Sequence, residues 1–260
     1  DQPSIMVLLD STNQVEYNFG SILFHKGKHY KPLYKSKQSI VDSSLLQKHI
    51  EEFIQVSIKQ LPKYISDDNE RGKFLKSLVL ELFVDERTIN INYNGLKFDL
   101  GDEEQETIKI WLRLEKRRQI KINLSKETDA NKRARMSEKI SAWQEKCEMI
   151  KQNSTEEYIL NDINNITEPI STNLIGIKSC SPLSKDNINF IIKHGLIGAV
   201  WSRQLQNNTQ QRIDELLTGD IRDLPRKYGT QPTHPNLLLL WDDANRLPDI
   251  PNSQNQPLSF

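Results

Sequence analysis

The chain is poor in the features that announce chemistry. Its 260 residues hold two cysteines, Cys147 and Cys180. They form no CxxC pair and no zinc spacing, which predicts free thiols in a reducing compartment, the cytoplasm. No apolar run reaches the roughly 20 residues of a membrane span. A basic leader and an initiator methionine are both missing from "DQPSIMVLLD", so the chain reads as a piece of a longer protein. Charge of one sign is lacking as well. Thirty-five Lys and Arg balance 35 Asp and Glu, and overall charge gives no reason to bind nucleic acid or an acidic membrane. There is no GxSxG, no phosphate loop and no GxGxxG. The strong nucleotide and hydrolase signatures are therefore excluded, and no cofactor is expected.

What is present reads as alternating secondary structure. Residues 4–10, "SIMVLLD", make a short apolar strand. "VEYNFGSILF" and "HYKPLY" flank a glycine-bearing turn and predict a hairpin, with Pro32 placing the second arm at an edge. Ser44 with Gln47 forms a capping-box pattern. Leu46, Ile50, Phe53, Ile54, Ile58 and Leu61 then recur at helical spacing. "SLVLELFVD" is a second apolar strand. In "TIKIWLRLEK", Ile108, Ile110, Leu112 and Leu114 alternate with Lys109, Trp111, Arg113 and Glu115, which predicts a strand across all eight.

A long helix is expected over residues 129–152, with Met136, Ile140, Trp143, Cys147 and Ile150 as one apolar stripe. Residues 153–173 read as a polar loop. The last third alternates strand and helix, with Gly195 and Gly219 at helix C-caps, and the tail 249–260 reads as extended. The predicted fold is α/β: an N-terminal β-hairpin, then a mixed sheet with flanking helices, as one domain over residues 1–260.

Candidate chemistry centres on "LLLLWDDANRLPD". Asp242 and Asp243 follow an apolar strand, where ligands of α/β sheets gather. They could begin a turn, or pair with Arg203 or Arg246 to lock strand ends, or bind a metal with Glu81 and Asp85. Adjacent residues point apart, which favours the turn or the ion pair. For Glu81 beside "RLEK", a salt-bridged sheet face is favoured over a metal nuclease. The histidines His25, His29, His49, His194 and His234 form no zinc cluster in sequence. Charge is locally uneven: residues 99–106 carry five acids, and residues 116–139 carry nine Lys or Arg against three acids. Lys116, Arg117, Arg118 and Lys121 are the candidate phosphate contacts. No aromatic interleaves with them, which argues against stacking on single strands.

Four stretches in order resemble one family, the C-terminal domain of the vWA-MoxR-associated proteins (VMAP-C) of prokaryotic conflict systems. They are "SIMVLLDSTNQVEYNFGSILF", "LVLELFVD", "IGAVWSR" and "LLLLWDDANRLPD". Only the last is specific, and Ala244 stands in it where the family tends to have proline. The resemblance spans nearly the whole chain. It implies the C-terminal part of a multidomain protein, with a sensor or adaptor role and catalysis elsewhere, for instance in a linked trypsin-like peptidase. It also implies a MoxR-type AAA ATPase and a vWA protein as partners in antiviral defence. Trp201, Arg203, Trp241, Asp242, Asp243 and Arg246 are the motif residues it marks. The alternative from the residues alone is a metal-dependent nucleic-acid-processing enzyme, or a module that binds nucleic acid without chemistry.

Overall fold

The computed structural model describes residues 4–11, 15–25, 29–40, 43–99, 108–152, 157–229 and 236–244. The tail 249–260, Arg246, His234 and nearly all of the acidic run lie outside them. The protein is mixed α/β, and the chain divides into two compact units. These are Asp1–Arg113 with Arg226–Pro235, and Leu114–Pro225 with Asn236–Phe260.

The first unit contains β1 (Ser4–Ser11), β2 (Glu16–His25), β3 (His29–Ser39), α1 (Leu46–Lys59), α2 (Asp68–Lys76), β4 (Val79–Val84) and β5 (Lys109–Leu114), whose last residue opens the second unit. Strand order is β3-β2-β1-β4-β5. β2 pairs antiparallel with β1 and β3, and β4 runs parallel to β1. β3 is at the edge, as Pro32 predicts, and the register shifts where Ile22 faces Pro32. The α1 stripe is buried as its spacing demands. Phe53 meets Phe19 of β2 with ring centroids 5.4 Å apart, and Ser57 Oγ lies 2.7 Å from Ser21 Oγ. Ser44 falls within a short 3-10 turn, and Leu45 takes the N-cap position with no side-chain bond.

The second unit contains α3 (Glu115–Leu124), α4 (Ala130–Lys151), β6 (Ile159–Asp162), β7 (Leu174–Ser179), α5 (Lys185–Lys193), β8 (Gly198–Ser202), α6 (Thr209–Leu216), α7 (Leu224–Gly229, which crosses the boundary) and β9 (Leu237–Trp241). Strand order is β9-β8-β7-β6. β6, β7 and β8 are parallel, and β9 returns antiparallel to β8. The predicted 153–173 loop thus contains an edge strand, which its polar composition hid.

Two glycines set the geometry around the last strands. Gly195 ends α5 with φ +63°, and a Cβ there would sit 2.6 Å from the Ala142 carbonyl carbon of α4. Gly198 lies opposite Trp241, whose ring would be 3.1 Å from a Cβ at that position. The indole therefore packs onto bare backbone.

Candidate functional site: a buried arginine–aspartate lock

The β5 strand ends one residue before the alternation does. Glu115, expected on the strand, is the first residue of α3, and Lys116 follows it on the helix. The chain's turn into helix at Leu114 brings Arg117 inward. Arg117 is 2 % exposed and Asp242, just past β9, is 1 % exposed. Arg117 Nη1 donates to Asp242 Oδ2 at 2.9 Å. Its Nη2 donates to the Ile191 carbonyl at 3.1 Å and to the Leu196 carbonyl, on either side of the α5 C-cap. The Leu114 N–H also donates to Asp242 Oδ2, at 3.4 Å.

Trp143 of α4 closes one side, its ring centroid 4.8 Å from the Arg117 guanidinium carbon. The Cys147 thiol, one turn further on, donates to the Asp242 carbonyl at 3.8 Å. Burial lowers the Arg117 pKa, and the charge and hydrogen bond of Asp242 oppose that shift. The site thus joins the end of β9 to the start of α3, the middle of α4 and the end of α5. Its chemistry is a desolvated, multiply bonded ion pair.

The other nominated residues fall elsewhere. Arg203 does not pair with Asp242 or Asp243, because β8 and β9 are antiparallel. Ser202 faces Leu237 and Gly198 faces Trp241, so the two strand ends lie roughly 14 Å apart along the ladder. Arg203 instead bonds Asn236: its N–H reaches the Asn236 carbonyl at 2.8 Å, and Nη2 lies 3.5 Å from Oδ1. Trp201 is fully buried. Asp243 is partly exposed and lies 3.5 Å from Lys151.

The proposed phosphate contacts lose both arginines. Arg118 is buried in a fork with Glu115, at 2.8 and 3.0 Å from Nε to the two oxygens, and Arg117 is in the lock. Lys116 donates to Asn189 at 2.6 Å, and Lys121 is half-buried on α3. A guanidinium closed into the core cannot meet a phosphate chain.

The acids nominated for a metal also have protein partners. In the first unit Glu81 is fully buried and accepts from Arg113 Nε at 3.0 Å and Nη2 at 2.8 Å, and from Ser4 Oγ at 2.7 Å. This is the salt-bridged sheet face that the strand pattern favours. Asp85 Oδ1 caps its own turn, accepting from the Arg87 and Thr88 N–H groups and the Thr88 hydroxyl. His25 lies 3.0 Å from Glu70. Among the described residues no group of three or more His, Cys, Asp or Glu could hold a metal ion. Also among them, no helix is long and apolar enough to cross a membrane.

Arg117 is the residue that sequence reasoning missed as the partner of Asp242. The available signal was helical: Glu115 and Arg118 form an i,i+3 pair, which contradicts a strand running through "RLEK". No family model, no curated protein and no solved structure matches the chain.

Proposed function

We propose that this chain is a regulatory or adaptor domain of the VMAP-C type, acting in a prokaryotic conflict system. It couples recognition of a trigger to an effector such as a linked trypsin-like peptidase. A MoxR-type AAA ATPase and a vWA protein are its partners, and the cytoplasm is where it works. The observation that carries the proposal is the placement of the "WDD" acids. Asp242 is spent on a lock with Arg117, and Asp243 pairs with a surface lysine. The most distinctive motif of the resemblance therefore supports the fold, as suits a domain that transmits a signal through rigid packing.

The test is binding. The chain, mixed with a vWA protein and a MoxR-type AAA ATPase from its own genome, is expected to elute as a stoichiometric complex from a sizing column. Independent elution of all three would overturn the partner assignment. Mg²⁺- or Mn²⁺-dependent cleavage of DNA or RNA by the isolated chain would replace the adaptor proposal with the enzymatic alternative.

A further inference from the structure

The first eleven residues of α4 are exposed on nearly every side. Only Met136 and Ile140 are drawn toward the protein. Lys132, Arg133, Arg135 and Lys139 stand on this segment with Glu138 as its sole acid. Among the described residues none of these four cations has a carboxylate within ion-pair distance. Lys151, Lys178, Lys193 and Arg222 of the same unit each have one.

The charges are also sorted. At about 100° per residue, Lys132, Arg135, Lys139 and Lys146 fall within about 60° of the helix circumference. Glu138, Glu145 and Glu148 lie about 90° or more round from the centre of that row. The row is about 20 Å long. Lys146 at its inner end already donates to the Thr172 carbonyl at 3.0 Å, so the outer three are the available contacts.

Helix physics makes this placement costly without a ligand. The N-terminal turn carries the positive end of the helix dipole and favours acids, yet α4 has none in its first turn and places Lys132 and Arg133 there. Asp129, the N-cap, offsets this only in part by accepting from the Lys132 N–H at 2.9 Å. Cations stacked on a positive helix end conflict with local stability, and such conflicts mark functional positions. An external polyanion removes the conflict.

We infer that the exposed half of α4 docks on the phosphate backbone of a nucleic-acid duplex, without reading sequence. A protein partner is disfavoured because the segment offers no large apolar or aromatic anchor. The exposed large apolar side chains of the described residues are Leu45, Tyr64 and Leu205, none on α4. Single strands are disfavoured because no aromatic is present to stack on bases. A duplex supplies a continuous phosphate line that a straight cationic row can follow. The inference does not rest on the adaptor proposal and stands or falls separately.

Fluorescence anisotropy with the 260-residue chain and labelled 30-base-pair duplexes of two unrelated sequences tests it. The two duplexes are expected to bind equally, and more tightly than a single strand of the same length. Lys132→Gln/Arg135→Gln/Lys139→Gln should weaken binding at least about tenfold. It should also flatten the slope of log affinity against log salt by about 3. Glu138→Lys adds to the cationic surface and should tighten binding, so the inference stays testable even if the triple variant folds poorly. Absence of duplex binding at low salt overturns it, as does a well-folded triple variant that binds like the parent. Binding of polyglutamate with no binding of duplex assigns the surface to an acidic protein instead.

Discussion

At Asp242 the carboxylate is 1 % exposed and faces a guanidinium that is itself buried, whereas the side chain of its neighbour Asp243 is 31 % exposed beside a solvated lysine. Removing one member of a buried pair leaves the other charge uncompensated, at about 3–5 kcal/mol. Asp242→Ala should therefore lower Tm by roughly 10 °C. Asp243→Ala removes a surface pair worth less than about 1 kcal/mol and should move Tm by no more than about 3 °C. Scanning calorimetry on the two variants checks the order. Arg117→Met/Asp242→Leu should recover part of the loss, because neither buried charge remains. Equal shifts for both aspartates would remove the lock from the account. Sequence alone narrowed the stabilising acid to this dipeptide, and burial selects which of the two it is.

Among the elements, the α5 turn shows how strongly local backbone is constrained. Gly195 has φ +63°, and a Cβ there would strike the α4 backbone at 2.6 Å. The left-handed conformation costs an ordinary residue about 1–2 kcal/mol, and overpacking adds about 1–3. Gly195→Ala should thus cost about 2–5 kcal/mol in a urea melt. It should also loosen Arg117, since the Ile191 and Leu196 carbonyls flank this turn. A change within 0.5 kcal/mol would contradict the close approach. Periodicity made α1, α4 and most strands legible, and Gly195 marked the end of α5, whereas α6 is capped at Leu217, two residues before the expected Gly219. The β5–α3 boundary was not legible, because Ile108 to Glu115 satisfies period two while the backbone turns helical at Glu115. β6 was hidden for a different reason. An edge strand of four residues needs little apolar surface.

For the whole molecule the two thiols offer a measure of opening. Cys147 is buried on α4, and burial pushes its pKa up to about 11, with Asp242 and Asp243 adding to the rise. Cys180 is partly exposed and donates to Gln210 at 3.0 Å. At pH 8 an aromatic disulfide reagent should label Cys180 in the native protein and Cys147 only as fast as the second unit opens. Asp242→Ala should speed the slow phase and leave the fast one alone. Equal rates for the two thiols in the parent protein would show that Cys147 is not enclosed.

By itself the sequence determined the α/β class, the α1 and α4 stripes, the edge position of β3 and the glycine that ends α5. These depend on contacts within a few residues or on the fixed periods of helix and strand. Only the tertiary structure decided which charges meet. Arg117 and Asp242 are 125 positions apart, and Arg113 and Glu81 are 32 apart. No local pattern encodes such a partner. The choice follows from β9 running antiparallel to β8, which carries "WDD" away from Arg203 and toward the start of α3.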